Sequence, residues 1–372
     1  MKYIVIAAVF FTALPSFSCA KKEKSPTPSV GLEYVISADE TYYEVVGIGE
    51  CTDADIVVPA RYEGLPVTKI GVGAFNKAEQ ITSVYLYEGI ELVEEQAFQE
   101  CKNLQKVILP EGVTRIEYSA FYNCTSLQQI NLPSTLTYIG DFSFYACERL
   151  TAIEIPDTVK EIDYGAFSGC TSLKKVRMSQ NLEYLGGGAF TNCTSLESIE
   201  IPSSVYNWRD SVFYNCESLK SVKIGEGITT IPESSFYYCR SLENIEWGSV
   251  QVIESFAFIG CESLTTLIFP EGLNGIATRA FLGCRNLKEV YFPDSTVGLL
   301  DDAFGGCTGL EKIRIGSGMR EISAWSFRGC ANLKEITYNG TKQDWEGKGG
   351  FCSWENTGVE KVSCTDGEIA IK

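Results

Sequence analysis

The sequence predicts an α/β solenoid, in which short coils of nearly the same sequence stack along one axis around a single apolar core. Three observations lead there. The first is a period: Phe75, Phe98, Phe121, Phe144, Phe167, Phe190, Phe213, Phe236, Phe258, Phe281, Phe304 and Phe327 stand 23 residues apart, except for a step of 22 between Phe236 and Phe258. The second is a shared skeleton, I-x-x-x-A-F-x-x-C-x-x-L-x-x-I-x-L-P-x-x-V-x-x, whose apolar positions recur while its polar positions vary. The third is that the copies join without a linker. One unit cannot bury its apolar side alone, so twelve units must stack.

Within a unit, pairs such as Val107-x-Leu109 and Ile153-x-Ile155 have the alternation of a short strand with two residues pointing inward. The prolines that often follow (Pro110, Pro133, Pro156, Pro202, Pro270, Pro293) end that strand, because proline donates nothing to a ladder. The A-F-x-x-C segment is expected to form a helical turn or short 3₁₀ piece on the opposite wall. A period of 23 residues carrying L-x-x-I-x-L lies in the leucine-rich-repeat range, so the expected fold is a leucine-rich-repeat solenoid with a parallel sheet on one face.

Five segments follow from the chain order. Residues 1–18 read as a secretion signal, with Lys2 before an apolar run, Ile4 to Leu14, too short to span a bilayer. Phe17-Ser18-Cys19-Ala20 resembles a bacterial lipobox, although an aliphatic residue is commoner where Phe17 stands. The resemblance implies acylation of Cys19 with more than one chain, which stable anchoring requires. Residues 19–31 then read as acylated cysteine and flexible tether, 32–69 as a β-rich N-terminal cap, 70–338 as the solenoid, and 339–372 as a C-terminal cap. Trp345, Phe351 and Trp354 supply an aromatic cluster to that last segment.

The A-F-x-x-C-x-x-L-x-x-I-x-L-P unit, over roughly residues 56 to 338, resembles the BspA-type leucine-rich repeats of bacterial surface proteins. The resemblance implies a cell-surface protein that binds or adheres without enzymatic activity. A lipid-anchored, extracytoplasmic location at an outer membrane or cell surface is expected with it. The family's ligands vary widely, so the resemblance supplies none.

Composition narrows the function classes. A net charge of −17 argues against nucleic acid and against broad adsorption to anionic membranes. The chain has no histidine, which removes the commonest general base, the usual zinc ligand and every nucleophile activated by histidine. Carboxylate-pair hydrolysis stays chemically open, but spacing nominates no pair. The expectation is a monomeric, non-catalytic protein without cofactor or metal, binding a protein or a glycan. The alternative is a structural or scaffolding protein of the envelope.

Eleven of the 15 cysteines share one repeat position, from Cys101 to Cys330, and the first unit has Ala78 there. Parallel side chains about 4.8 Å apart are too far for preferred disulfide geometry, so these read as buried thiols serving as small apolar core pieces. Cys352 and Cys364 are candidates for one disulfide, and Cys51 has no evident partner.

The residue between the two inward aliphatics of each strand should face outward. Tyr85, Ile108, Glu154, Arg177, Glu200, Lys223, Glu246, Ile268 and Tyr291 are therefore the candidate partner-binding residues. The central five alternate in charge and can satisfy one another across strands, while Tyr85 with Ile108 and Ile268 with Tyr291 offer apolar contact area. A second stripe, Tyr122, Tyr145, Tyr214 and Tyr237, follows the repeat phenylalanine. Two irregularities stand out. Trp208 replaces an aliphatic residue with Val212 in place of the usual alanine, and one residue is missing between Trp247 and Val250. Each reads as local repacking or as a bend that shapes a binding surface.

Overall fold

A computed structural model describes residues 26–348, 354 and 357–371. The signal segment, Cys19 and Cys352 lie outside the described residues, and so does the proposed Cys352–Cys364 pairing. Each coil has three walls. One is the expected parallel sheet, carried by strands such as Lys106–Ile108, Ala152–Glu154, Lys175–Arg177 and Ser221–Ile224; it is called the face sheet below. It divides into four-, two-, three- and six-stranded runs. The second wall is another parallel sheet, the side sheet, built from two-residue strands such as Leu92–Val93, Arg115–Ile116 and Tyr138–Ile139. It leaves no mark in the sequence, because a strand with one inward residue has no alternation to detect.

The third wall is the A-F-x-x-C segment, and here the structure corrects the expected helical or 3₁₀ piece. Alternate N–H groups point along the stack: Gln96, Phe98 and Glu100 donate to the carbonyls of Tyr118, Ala120 and Tyr122 in the next coil, at 2.9, 2.7 and 2.7 Å. The N–H groups between them, on Ala97, Gln99 and Cys101, close local turns onto Glu94, Gln96 and Phe98. This alternation requires left-handed backbone at two positions per coil, for example Gln96 (φ +57°) and Glu100 (φ +58°). A continuous helix would have spent all of these donors locally and left the coils unjoined. Helix is confined among the described residues to Lys342–Gly347 in the C-terminal cap, where Thr341 and Asp344 form a capping box.

Ala97, Phe98, Cys101, Leu104, Val107, Leu109, Val113 and Ile116 of one coil are all buried, and their counterparts continue that core from end to end. The repeat phenylalanines stack face to face at 5.0–5.7 Å, and Trp354 extends the column beyond Phe327 at 5.6 Å. The C-terminal end is closed by Lys361–Cys364, paired in parallel with Glu335–Tyr338 and antiparallel with Gly367–Ala370. At the other end, Glu33–Ile36 and Tyr43–Gly47 form an antiparallel pair, and Tyr43–Gly47 joins Leu65–Ile70. Leu65–Ile70 and Asp55–Val58 already pair in parallel with the next coil, so coil geometry begins before residue 70. At the end of the segment read as a tether, Ser29 exchanges hydrogen bonds with Val57 (3.0 and 3.1 Å), and Pro26 accepts one from the Tyr87 hydroxyl at 2.8 Å.

Candidate functional site

The face sheet places the outward residues in register. Tyr85 pairs with Ile108, Glu154 with Arg177, Glu200 with Lys223, Lys223 with Glu246, and Ile268 with Tyr291. Ile268 is 67% exposed, high for an isoleucine on a sheet. Tyr85 and Ile108 are half-buried, and Tyr85 meets Tyr87 edge-on at 5.2 Å. The Tyr291 hydroxyl donates to Glu289 at 2.5 Å, and this bond raises the tyrosine's pKa above its ordinary value.

The alternating charges satisfy one another only in part. Lys223 pairs with Glu200 at 2.6 Å, and its pKa is raised by that bond. Arg177 turns away from the glutamates beside it to Asp157, at 2.9 Å, and to the Ile155 carbonyl. Glu154 and Glu246 are exposed. The face thus presents a charged middle flanked by apolar pairs. The tyrosine stripe packs on itself: Tyr122 stacks on Tyr145 and Tyr214 on Tyr237, each at 4.8 Å, covering the stack edge.

The cysteine ladder has a role beyond filling space. Every thiol from Cys101 to Cys330 donates to the carbonyl of the phenylalanine in the preceding coil, from Cys101 to Phe75 at 2.9 Å through Cys330 to Phe304 at 3.2 Å. Ala78 stands in the first coil because no earlier phenylalanine carbonyl needs a donor. Burial pushes the Cys101 and Cys170 thiols up to about 12, and the rest of the ladder is raised as well. These thiols are packing and bonding groups, without the thiolate character that reactivity requires.

The two sequence irregularities behave differently. The missing residue near Trp247 is absorbed locally: Gly248 takes a left-handed turn (φ +55°) so close to the Ile224 carbonyl that a side chain would not fit. The phenylalanine spacing across it stays at 5.1 Å. Trp208 instead wedges the stack. Its indole stands edge-on to Phe213 and Phe236, and the phenylalanine column on either side of Phe213 widens to 5.7 and 5.5 Å. At this boundary the side sheet stops at Asn207–Trp208 and resumes, unpaired with it, at Thr230–Ile231. A cleft of about 510 Å³ opens there.

Among known proteins, the BspA type Leucine rich repeat region matches this chain over residues 64–170, 137–249 and 229–348. A solved leucine rich cell surface protein from Faecalibacterium prausnitzii is similar at 25% identity, covering 87% of this chain and 97% of that one, with a TM-score of 0.53. The pneumococcal vaccine antigen PcpA shares the fold at 18% identity, 90% and 97% coverage and a TM-score of 0.52. A leucine-rich repeat protein from Bacteroides ovatus aligns at 23% identity over 92% of this chain and 100% of its own, with a TM-score of 0.45. No curated protein gives a significant match. The repeat match spans well over half of the sequence, and the chain belongs to the BspA-type leucine-rich-repeat family.

Proposed function

We propose that this protein is displayed at the cell surface or envelope through an acylated Cys19 and binds a protein or glycan along its face sheet, without catalysis. The observation that carries the reading is the outward row of that sheet. Ile268 and Tyr291 stand side by side on adjacent strands, with Ile268 largely exposed, and Tyr85 with Ile108 repeats the arrangement near the other end. A rigid scaffold that holds apolar contacts in register loses little freedom on binding, and this favours multipoint recognition. The similarity to a protein described as a leucine rich cell surface protein supports the location.

The test is binding of the purified chain to immobilised matrix proteins, glycans and envelope extract, with Tyr85→Ala and Tyr291→Ala in parallel. Saturable binding that weakens in both variants supports the reading, while capture of envelope components alone favours a scaffolding role. Binding that ignores both variants removes the face sheet from the account.

A further inference from the structure

We propose that the cleft at the interrupted side sheet binds one neutral, hexose-type sugar residue, through chemistry separate from that of the face sheet. The opening has a covalent cause. At the neighbouring boundaries, the N–H that follows each side strand donates to the preceding coil: Asp163 to Ile139, Gly186 to Ile162, Arg209 to Leu185, Glu254 to Ile231 and Ala277 to Ile253, all at 2.8–3.0 Å. The equivalent residue facing the Trp208 carbonyl is Pro232, which has no N–H. The bond one step earlier is lost with it. Tyr206 donates to Glu183 and Gln251 to Thr229, yet among the described residues no backbone bond joins Thr229 or Thr230 to Tyr206. The Tyr206 and Trp208 carbonyls on one lip are therefore left without these ladder bonds, opposite the Thr229 and Thr230 N–H groups and the Pro232 ring on the other.

What lies around these groups suits a sugar. Tyr206 stands at the rim, 78% exposed, its hydroxyl donating to Glu183 at 3.4 Å, and its ring is the aromatic surface on which the C–H side of a pyranose would pack. Trp208 also lines the cleft, and its indole N–H is buried without an acceptor, a cost that a native fold does not usually retain without a reason. Asp210, Glu233 and Glu254 add carboxylate acceptors, and Glu254 is oriented by the Glu233 N–H at 3.0 Å. Hydroxyl groups both donate and accept, so one sugar can serve the carbonyls, the amides and the carboxylates together. With three carboxylates against Arg209, the potential disfavours an anionic sugar. A peptide strand fits less well, since a two-residue edge offers too short a ladder for strand addition. The volume lies within the ordinary range for small-ligand sites.

The test is calorimetric titration of the purified chain with glucose, galactose, mannose and N-acetylglucosamine, using N-acetylneuraminic acid as the anionic contrast. At least one neutral sugar should bind saturably with a Kd on the order of 1 mM, and Tyr206→Ala should weaken it about tenfold. Pro232→Ala restores the missing donor opposite the Trp208 carbonyl. It should close the ladder, abolish binding and raise the thermal midpoint together. Tyr206 is exposed, so its variant is informative even if Pro232→Ala folds poorly. Methyl glycosides separate the sources: if they bind as the free sugars do, the site takes a glycan end, and if they are excluded, it takes a free monosaccharide. The proposal is overturned if no neutral sugar binds up to about 50 mM, roughly fiftyfold above the expected Kd. Binding led by the anionic sugar, or untouched by both variants, overturns it equally.

Discussion

Raising the pH above about 9 should progressively destabilise this protein through its thiol ladder. Eleven cysteines from Cys101 to Cys330 are fully buried, and their folded pKa values lie above the 9.0 of a free thiol, at about 12 for Cys101 and Cys170. A raised pKa keeps the proton on the folded state, while the unfolded chain releases it near pH 9. The stability from this source is therefore complete below pH 9 and lost as pH climbs toward and through the folded values. At pH 9.5 an unfolded thiol is largely ionised while a buried one keeps its proton, a difference of somewhat under about 1 kcal/mol each, so eleven in one cooperative unit favour unfolding by several kcal/mol, roughly 5–10 in total. That is comparable to the whole stability of an ordinary domain, about 5–15 kcal/mol. Tyrosine and lysine titrate roughly a unit or more above the free thiol, so the loss between about pH 8.5 and 9.5 comes chiefly from the thiols. Urea titrations at pH 7.5, 8.5 and 9.5, followed by tryptophan fluorescence under a phosphine reductant, measure the effect. A Cys170→Ala/Cys193→Ala variant should lose about two-elevenths of the pH slope, whatever its starting stability. Stability at pH 9.5 within about 1 kcal/mol of that at pH 7.5 would refute the reasoning.

Other perturbations follow from the same geometry. Cys193→Ala leaves a small void and removes one donor from the Phe167 carbonyl, which keeps its bond from Cys170; urea unfolding should show a loss of about 1–3 kcal/mol. Asp302 is buried between the exposed Arg279 and Arg328 at φ +53°, so Asp302→Ala should cost about 2 kcal/mol, and Asp302→Asn, which tolerates that backbone better, should cost less. Ile268→Asp changes an exposed side chain, so the thermal midpoint should stay put while capture of a face-sheet partner falls.

Much of this was legible in the sequence because a solenoid writes its contacts at a fixed offset. The phenylalanine period gave the stack, and the inward alternation at Val107 and Leu109 gave the face sheet. The side sheet was hidden because strands like Arg115–Ile116 carry a single inward residue. The turn wall reads as a helical turn or short 3₁₀ piece because the residues at positive φ there are often not glycine: Gln96, Glu100 and Asn123 look like ordinary helix formers or turn residues. They are held left-handed by bonds to the next coil, which local propensity does not report. Trp208 was visible as an oddity, but its consequence was not. Pro232 matters only because its absent N–H faces the Trp208 carbonyl, and that pairing appears once the register is known.

Recognition along the face sheet, the function proposed above, can be tested directly. The most direct measurement is the affinity of the purified chain for a captured matrix protein or glycan, compared with that of a Tyr85→Ala/Ile268→Asp/Tyr291→Ala variant of unchanged thermal midpoint. The account predicts saturable binding to the native chain and a loss of about tenfold or more in the variant. Equal affinity of the two folded proteins would contradict it.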